Sequence, residues 1–183
     1  MKKTILPIIV AMAFLPLNRI MAQHNLNLMP LPAEVTIDEG NFVLPSETGI
    51  TVTGNYDPRL TEGIKWFTSR LESFSQGKIK SKLQKDQGQI SIIVDHPGIL
   101  SKDEDESYSL SVSKNGVNLE APTDLGALHG LETLLQLLSA ENGSWQFQAV
   151  RIKDNPRFAW RGLLIDVGRH FMPLSTIKRN IDG

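Results

Sequence analysis

The sequence predicts an α+β fold: a mostly antiparallel sheet with two helices on one face, followed by the first βα unit of a repeating β/α architecture. Three observations carry this expectation. Short runs rich in β-branched residues alternate with Gly, Pro and Asn-Gly turn signals. Two longer stretches place apolar residues at helical spacing. Near the C-terminus a continuous apolar run is followed by a helical start.

The elements follow in order. Lys2 and Lys3 precede a mostly apolar stretch from Ile5 to Leu17, and Ile20-Met21-Ala22 ends on a small residue. This is the order of a secretory signal peptide, so residues 1–22 are read as a leader cleaved after Ala22. The alternative is an uncleaved anchor helix, which the short run and the interrupting Pro7 and Pro16 disfavour. The expectation is an exported bacterial protein, periplasmic or extracellular, with no stable membrane insertion.

Residues 23–56 are punctuated by Pro30, Pro32, Gly40, Pro45, Gly49 and Gly54, which leaves short strands at Glu34 to Ile37, Asn41 to Leu44 and Ile50 to Thr53. Asp57 offers an N-cap and Pro58 a first helical position. Leu60, Ile64, Phe67, Leu71 and Phe74 then line one helix face, with Gly77 ending it. Ile90, Ile92 and Val94 alternate as a strand, as do Tyr108, Leu110 and Val112. Asn115-Gly116 marks a hairpin back through Val117 and Leu119.

Asp124 is read as the cap of a second helix with apolar positions from Leu125 to Leu138, closed by Asn142-Gly143. Gly126 and Gly130 each cost about 1 kcal/mol there relative to Ala, which points to close packing on a sheet or to helix distortion. Trp145 and Phe147 begin a further strand. The Asp103 to Glu106 run reads as a solvated loop, since its rival, a calcium loop, lacks EF-hand spacing. Asp154-Asn155-Pro156 is a boundary turn, dividing the mature chain into 23–154 and 155–183. Leu163 to Ile165 reads as a strand buried on both faces, and Ser175 to Asp182 as a helix. This βα unit has no parallel partner strand in the sequence, so the chain is expected to be the front of a longer protein.

Composition narrows the function. Nineteen Lys and Arg against 20 Asp and Glu give a formal net charge of −1, and removing Lys2, Lys3 and Arg19 takes it to about −4, so no nucleic-acid partner is expected. The absence of cysteine excludes a disulfide scaffold, a Cys-ligated zinc site, a thiol nucleophile and a lipidated cysteine. His24, His96 and His129 lie too far apart to suggest a metal site, and no cofactor signal is present. Trp66 and Trp145 suit core packing better than a sugar-stacking platform, because one falls on the helix and one on a strand. Arg161 reads either as a structural cation at a domain boundary or as a ligand-binding fork. Asp166, Arg169 and His170 sit near the expected strand end. Asp166 and Arg169 suit a buried ion pair, and His170 either packs in support of a site or shuttles protons.

One stretch is more specific. Trp160-Arg161-Gly162-Leu163-Leu164-Ile165-Asp166-Val167-Gly168-Arg169-His170-Phe171-Met172-Pro173 resembles the entry to the catalytic barrel of β-N-acetylhexosaminidases of glycoside hydrolase family 20. Met29-Pro30-Leu31-Pro32, Glu106-Ser107-Tyr108-Ser109-Leu110 and Gly126-Ala127-Leu128-His129-Gly130-Leu131-Glu132-Thr133 resemble that family's N-terminal domain, in the right order.

The resemblance implies an α+β domain before a (β/α)8 barrel, with active-site groups at the C-terminal ends of barrel strands. It implies a glycan substrate ending in N-acetylglucosamine or N-acetylgalactosamine, and retaining hydrolysis in which the substrate's acetamido oxygen is the nucleophile. An Asp orients that acetamide, and an adjacent Glu serves as acid and then base. The pair is expected beyond Gly183, so the chain holds no catalytic residue, needs the remainder of the barrel as its partner, and is expected to be inactive alone. Asp103-Glu104 and Asp105-Glu106 match the pair by letter only. Arg161 carries over as the residue that hydrogen-bonds sugar hydroxyls, although it precedes the expected strand rather than ending it. A standalone glycan-binding or interaction module is the alternative.

Overall fold

The computed structural model describes residues 26–182. The leader, the cleavage after Ala22 and His24 lie outside the described residues. Strand β1 (Glu34–Val43) is one element where two were expected; its pairing register shifts between Ile37 and Asn41. It leads to β2 (Glu47–Gly54) and helix α1 (Pro58–Phe74). The Asp57 side chain caps α1 by accepting the Arg59 N–H at 2.9 Å. Leu60, Ile64, Phe67 and Leu71 are buried as their spacing predicts. Phe74, expected on that face, is half exposed at the helix end, with the Arg70 guanidinium 5.7 Å from its ring. Trp66, expected in the core, is 66% exposed, because it falls off the buried stripe.

Strands β3 (Lys80–Leu83), β4 (Ile90–His96), β5 (Tyr108–Ser113) and β6 (Gly116–Thr123) lead to α2 (Asp124–Gln136). Its cap is Thr123, whose Oγ1 accepts the Gly126 N–H; Asp124, expected as the cap, is the first helical residue. The helix ends at Gln136, and Leu138 opens a short strand, β7 (Leu138–Glu141). Asn142-Gly143 therefore turns a hairpin into β8 (Ser144–Asp154) instead of closing the helix. Both residues have positive φ, 50° and 80°, as a type I′ turn requires.

The strands form one sheet in the order β1-β8-β5-β6-β4-β2-β3, with β7 also against β8. Four pairings are antiparallel and three, β2–β3, β2–β4 and β4–β6, are parallel. The parallel part was not expected; it arises because the chain crosses by α1 from β2 to β3 and re-enters the sheet on the other side of β2. Ile90, Ile92, Val94, Leu110, Leu119 and Ile152 are buried beneath the helices. Ser91, Ser109, Ser111 and Asn118, between the buried positions, lie on the other face.

The Gly126 and Gly130 question resolves as close packing. A Cβ on Gly126 would stand 2.1 Å from the Ser107 carbonyl oxygen, and one on Gly130 would stand 2.3 Å from Leu119 Cδ1. Beyond β8 the only regular element among the described residues is α3 (Leu174–Asp182), one residue earlier than predicted. The strand expected at Leu163 to Ile165 is absent, and Leu163 and Leu164 are 75% and 95% exposed. A parallel strand exists only through hydrogen bonds to a neighbour, and no such neighbour is present among the described residues.

Candidate functional site

The connection from β4 to β5 is fastened to the start of α2. Asp124, fully buried, accepts the Gly98 N–H at 2.5 Å and faces Arg59 Nε at 2.9 Å, while Arg59 Nη2 donates to the Gly98 carbonyl at 3.1 Å. Thr123 Oγ1 donates to the Asp105 carbonyl at 2.7 Å, and the Asp105 carboxylate accepts the Ser107 N–H at 2.9 Å. The Ser107 side chain and backbone both bond to Asp105 and hold its carboxyl below the usual range. Glu106 is therefore flanked by two tethered residues.

The Glu106 side chain is 17% exposed, so it is not part of a solvated acidic run. Its Oε2 accepts from His129 Nε2 at 2.8 Å, one turn down α2 from Gly126, and from Arg161 Nη2. Burial alone would push the Glu106 carboxyl up; the hydrogen bonds and charges of His129 and Arg161 outweigh it and hold the group below the usual carboxylate range. Arg161 Nη1 also donates to the Phe158 carbonyl at 2.5 Å. A second polar link lies nearby. The Tyr108 hydroxyl bonds Thr133 Oγ1 at 2.6 Å and Asp154 Oδ2 at 3.3 Å, and burial foremost pushes it up to about 12.

Arg161 is thus the one sequence-selected site residue that meets other charged groups from distant parts of the chain. Asp166, Arg169 and His170 form a separate, exposed turn. Asp166 Oδ1 accepts the N–H groups of Gly168 and Arg169 at 3.0 and 3.1 Å, and its other oxygen pairs with Arg169 Nε at 2.9 Å. That pair was expected to be buried. It is exposed, the Arg169 side chain by 91%, because the strand that would have carried it inward is absent. A cleft of about 400 Å³, lined by Ser107, Tyr108, Glu120 and Asp154 among others, borders the Tyr108–Asp154 link but touches none of Arg161, Asp166, Arg169 and His170.

Sequence reasoning missed Glu106 and His129. Glu106 was masked by its acidic neighbours, and His129 read as an isolated histidine. The available signal was Gly126: a helix brought against the Ser107 backbone also brings the residue one turn on, His129, to the residue before Ser107.

Two family models match adjoining stretches of the chain. The family model described as "Glycosyl hydrolase family 20, domain 2" matches residues 25–155, and "Glycosyl hydrolase family 20, catalytic domain" matches 158–183. Beta-hexosaminidase subunit A1 of Dictyostelium discoideum is 33% identical over 169 residues, which cover 90% of this chain and 31% of that protein. A beta-hexosaminidase of Porphyromonas gingivalis is 30% identical over 164 residues, covering 86% and 21%. Among solved structures, a chitobiase of Flavobacterium johnsoniae superposes with a TM-score of 0.78 at 41% identity, covering 85% of this chain and 25% of that one. The Streptomyces plicatus N-acetyl-beta-hexosaminidase gives 0.68 at 29%, covering 86% and 32%. The chain spans about a fifth to a third of the length of these relatives. With a family model matched over most of its length, the chain belongs to glycosyl hydrolase family 20.

Proposed function

We propose that the chain works as the N-terminal part of an exported β-N-acetylhexosaminidase that removes terminal N-acetylglucosamine or N-acetylgalactosamine from glycans. In this reading residues 1–22 are the signal peptide, 23–154 the N-terminal domain and 155–183 the start of the catalytic barrel. The observation that carries it is the ordered match to two adjoining parts of one family, at 25–155 and 158–183.

The chemistry is substrate-assisted. The acetamido oxygen attacks the anomeric carbon, a barrel Asp orients the acetamide, and an adjacent Glu protonates the leaving oxygen before activating water. Both carboxylates belong to barrel sequence beyond these 183 residues. Arg161 is the sugar-binding residue of this chain. Its planar fork spans two adjacent hydroxyls, and the two donors engaged by Glu106 and Phe158 leave others for the sugar. Asp166, Arg169 and His170 support the site once the first barrel strand forms.

The test extends the reading frame past Gly183 and assays the full-length protein on a chromogenic aryl N-acetylglucosaminide. Turnover is expected, together with a downstream Asp-Glu pair. A folded full-length protein without turnover refutes the reading in favour of a binding module. In the same protein, Arg161→Lys keeps the charge and loses the fork. Losing hydrogen bonds from a charged donor costs about 1.5–3 kcal/mol, or roughly 10- to 200-fold in kcat/KM. Unchanged kcat/KM with a Tm several degrees lower removes Arg161 from the site.

A further inference from the structure

We propose that Glu106, oriented by His129, is a positioning residue for Arg161, so that the N-terminal α/β domain sets the geometry with which the barrel's first segment holds the sugar. This rests on the reading of Arg161 given above and adds to it two residues of the N-terminal domain.

The C-terminal segment stands nearly isolated from the domain. Among the described residues, the bond from Arg161 Nη2 to Glu106 is the one hydrogen bond between residues 157–182 and the rest of the protein. Around it the segment is open: Trp160 is 84% exposed and Leu164 95%. A segment without a strand partner is still registered on the domain at this one guanidinium.

The receiving carboxylate is built for that purpose. Its neighbours on both sides are tethered, Asp105 through Thr123 and Ser107 through Asp105. The absence of a Cβ at Gly126 lets α2 approach the Ser107 carbonyl and bring His129 within 2.8 Å of Glu106 Oε2. His129 Nε2 donates to the same oxygen that accepts Arg161, so the imidazole limits the directions from which that oxygen is reached.

The functional consequence is preorganisation. A free arginine side chain loses rotamer freedom when it closes on a ligand. One held by a rigid carboxylate at Nη2 and by the Phe158 carbonyl at Nη1 has lost that freedom before the sugar arrives, and its remaining N–H groups are aimed. Geometry selects arginine here, because a lysine ammonium of the same charge cannot bond the carboxylate and a pair of hydroxyls in one plane.

The experiment compares Glu106→Gln, Arg161→Lys and the double variant in the full-length protein, measuring KM, kcat and Tm on a chromogenic aryl N-acetylglucosaminide. Glu106→Gln keeps shape and an acceptor but loses the charge. It should lower kcat/KM by roughly 10-fold, and at most about 100-fold, the effect of a displacement near 1 Å, with the loss mainly in KM. In the Arg161→Lys background it should add less than about 2-fold, since both changes act through one guanidinium. A merely structural Glu106 would lower Tm without this non-additivity. As a second measurement, the Arg161 guanidinium protons of the 183-residue chain should exchange faster in Glu106→Gln and in His129→Gln than in the parent, which reads the contact without any activity. Wild-type kinetics in a folded Glu106→Gln, full additivity with Arg161→Lys, or guanidinium exchange indifferent to both substitutions each overturns the proposal while leaving the proposed function standing. A folded full-length parent without turnover overturns both.

Discussion

Gly126→Ala should destabilise the protein, although helix propensity alone predicts a gain. Replacing Gly by Ala within a helix is worth up to about 1 kcal/mol in favour of the variant. Against it stands the Ser107 carbonyl oxygen, 2.1 Å from the new Cβ, where ordinary contact begins at 3.4 Å. The obstacle is backbone, and it lies in the connection that Thr123 and Asp124 hold down, so it cannot swing aside as a side-chain tip would. Helix α2 must retreat by about 1.3 Å, the difference between those two distances. That retreat loosens the contacts of Ala127, Leu131 and Leu134, all at most 2% exposed. Overpacking of this kind costs about 1–3 kcal/mol, and the upper half of that range, less the propensity gain of about 1 kcal/mol, leaves a net loss of about 1–2 kcal/mol. Urea unfolding of the mature chain, followed by far-UV circular dichroism, measures it as a lower midpoint at unchanged slope. Gly162→Ala, with nothing within 4 Å of its Cβ, is the control and should stay within about 0.5 kcal/mol of the parent. A Gly126→Ala protein as stable as its parent, or more so, would falsify the packing argument.

Three further outcomes are expected. The 183-residue chain alone should not turn over a chromogenic N-acetylglucosaminide, since positioning groups cannot replace an absent acid and acetamide-orienting carboxylate; turnover in material free of host enzyme contradicts this. Hydrogen exchange should be near the unfolded rate at 163–165 and slow at Leu110, Leu119 and Ile152, whose amides lie in the centre of the sheet; strong protection of 163–165 in a monomer would place a strand where none is described. The Glu106 carboxyl is held below its ordinary value, so its pairing contributes fully above the unfolded value of about 4.3 and is lost as pH falls through the lower folded value. Carboxyl carbon NMR should therefore show Glu106 titrating below an exposed glutamate, and a midpoint at or above the exposed one contradicts the His129–Glu106–Arg161 cluster.

Local physics was legible in the chain. Asp57-Pro58 and the spacing of Leu60, Ile64, Phe67 and Leu71 locate α1, because a cap and a 3.6-residue stripe depend only on residues a few positions apart. Asn115-Gly116 likewise locates the β5–β6 hairpin. The family resemblance and Arg161 came from short motifs in order. The limit of local signals shows at Asn142-Gly143, where the same dipeptide serves a helix end or a hairpin, and only the pairing of Leu138 to Glu141 with β8 decides for the hairpin.

What the tertiary structure alone decided is everything that depends on which distant segments meet. The parallel pairings of β2, β4 and β6 leave no mark that a run of alternating residues could show, since an alternating strand pairs in either direction. Leu163 to Ile165 reads as a strand by composition and yet forms none here, because strand formation requires a neighbour's backbone. Glu106, His129 and Arg161 stand 23 and 55 residues apart as bonded pairs, and each alone is an ordinary polar residue. Their contacts exist only after α2 has closed on Ser107, and it is that non-local packing, not any local pattern, that makes three scattered polar residues one cluster.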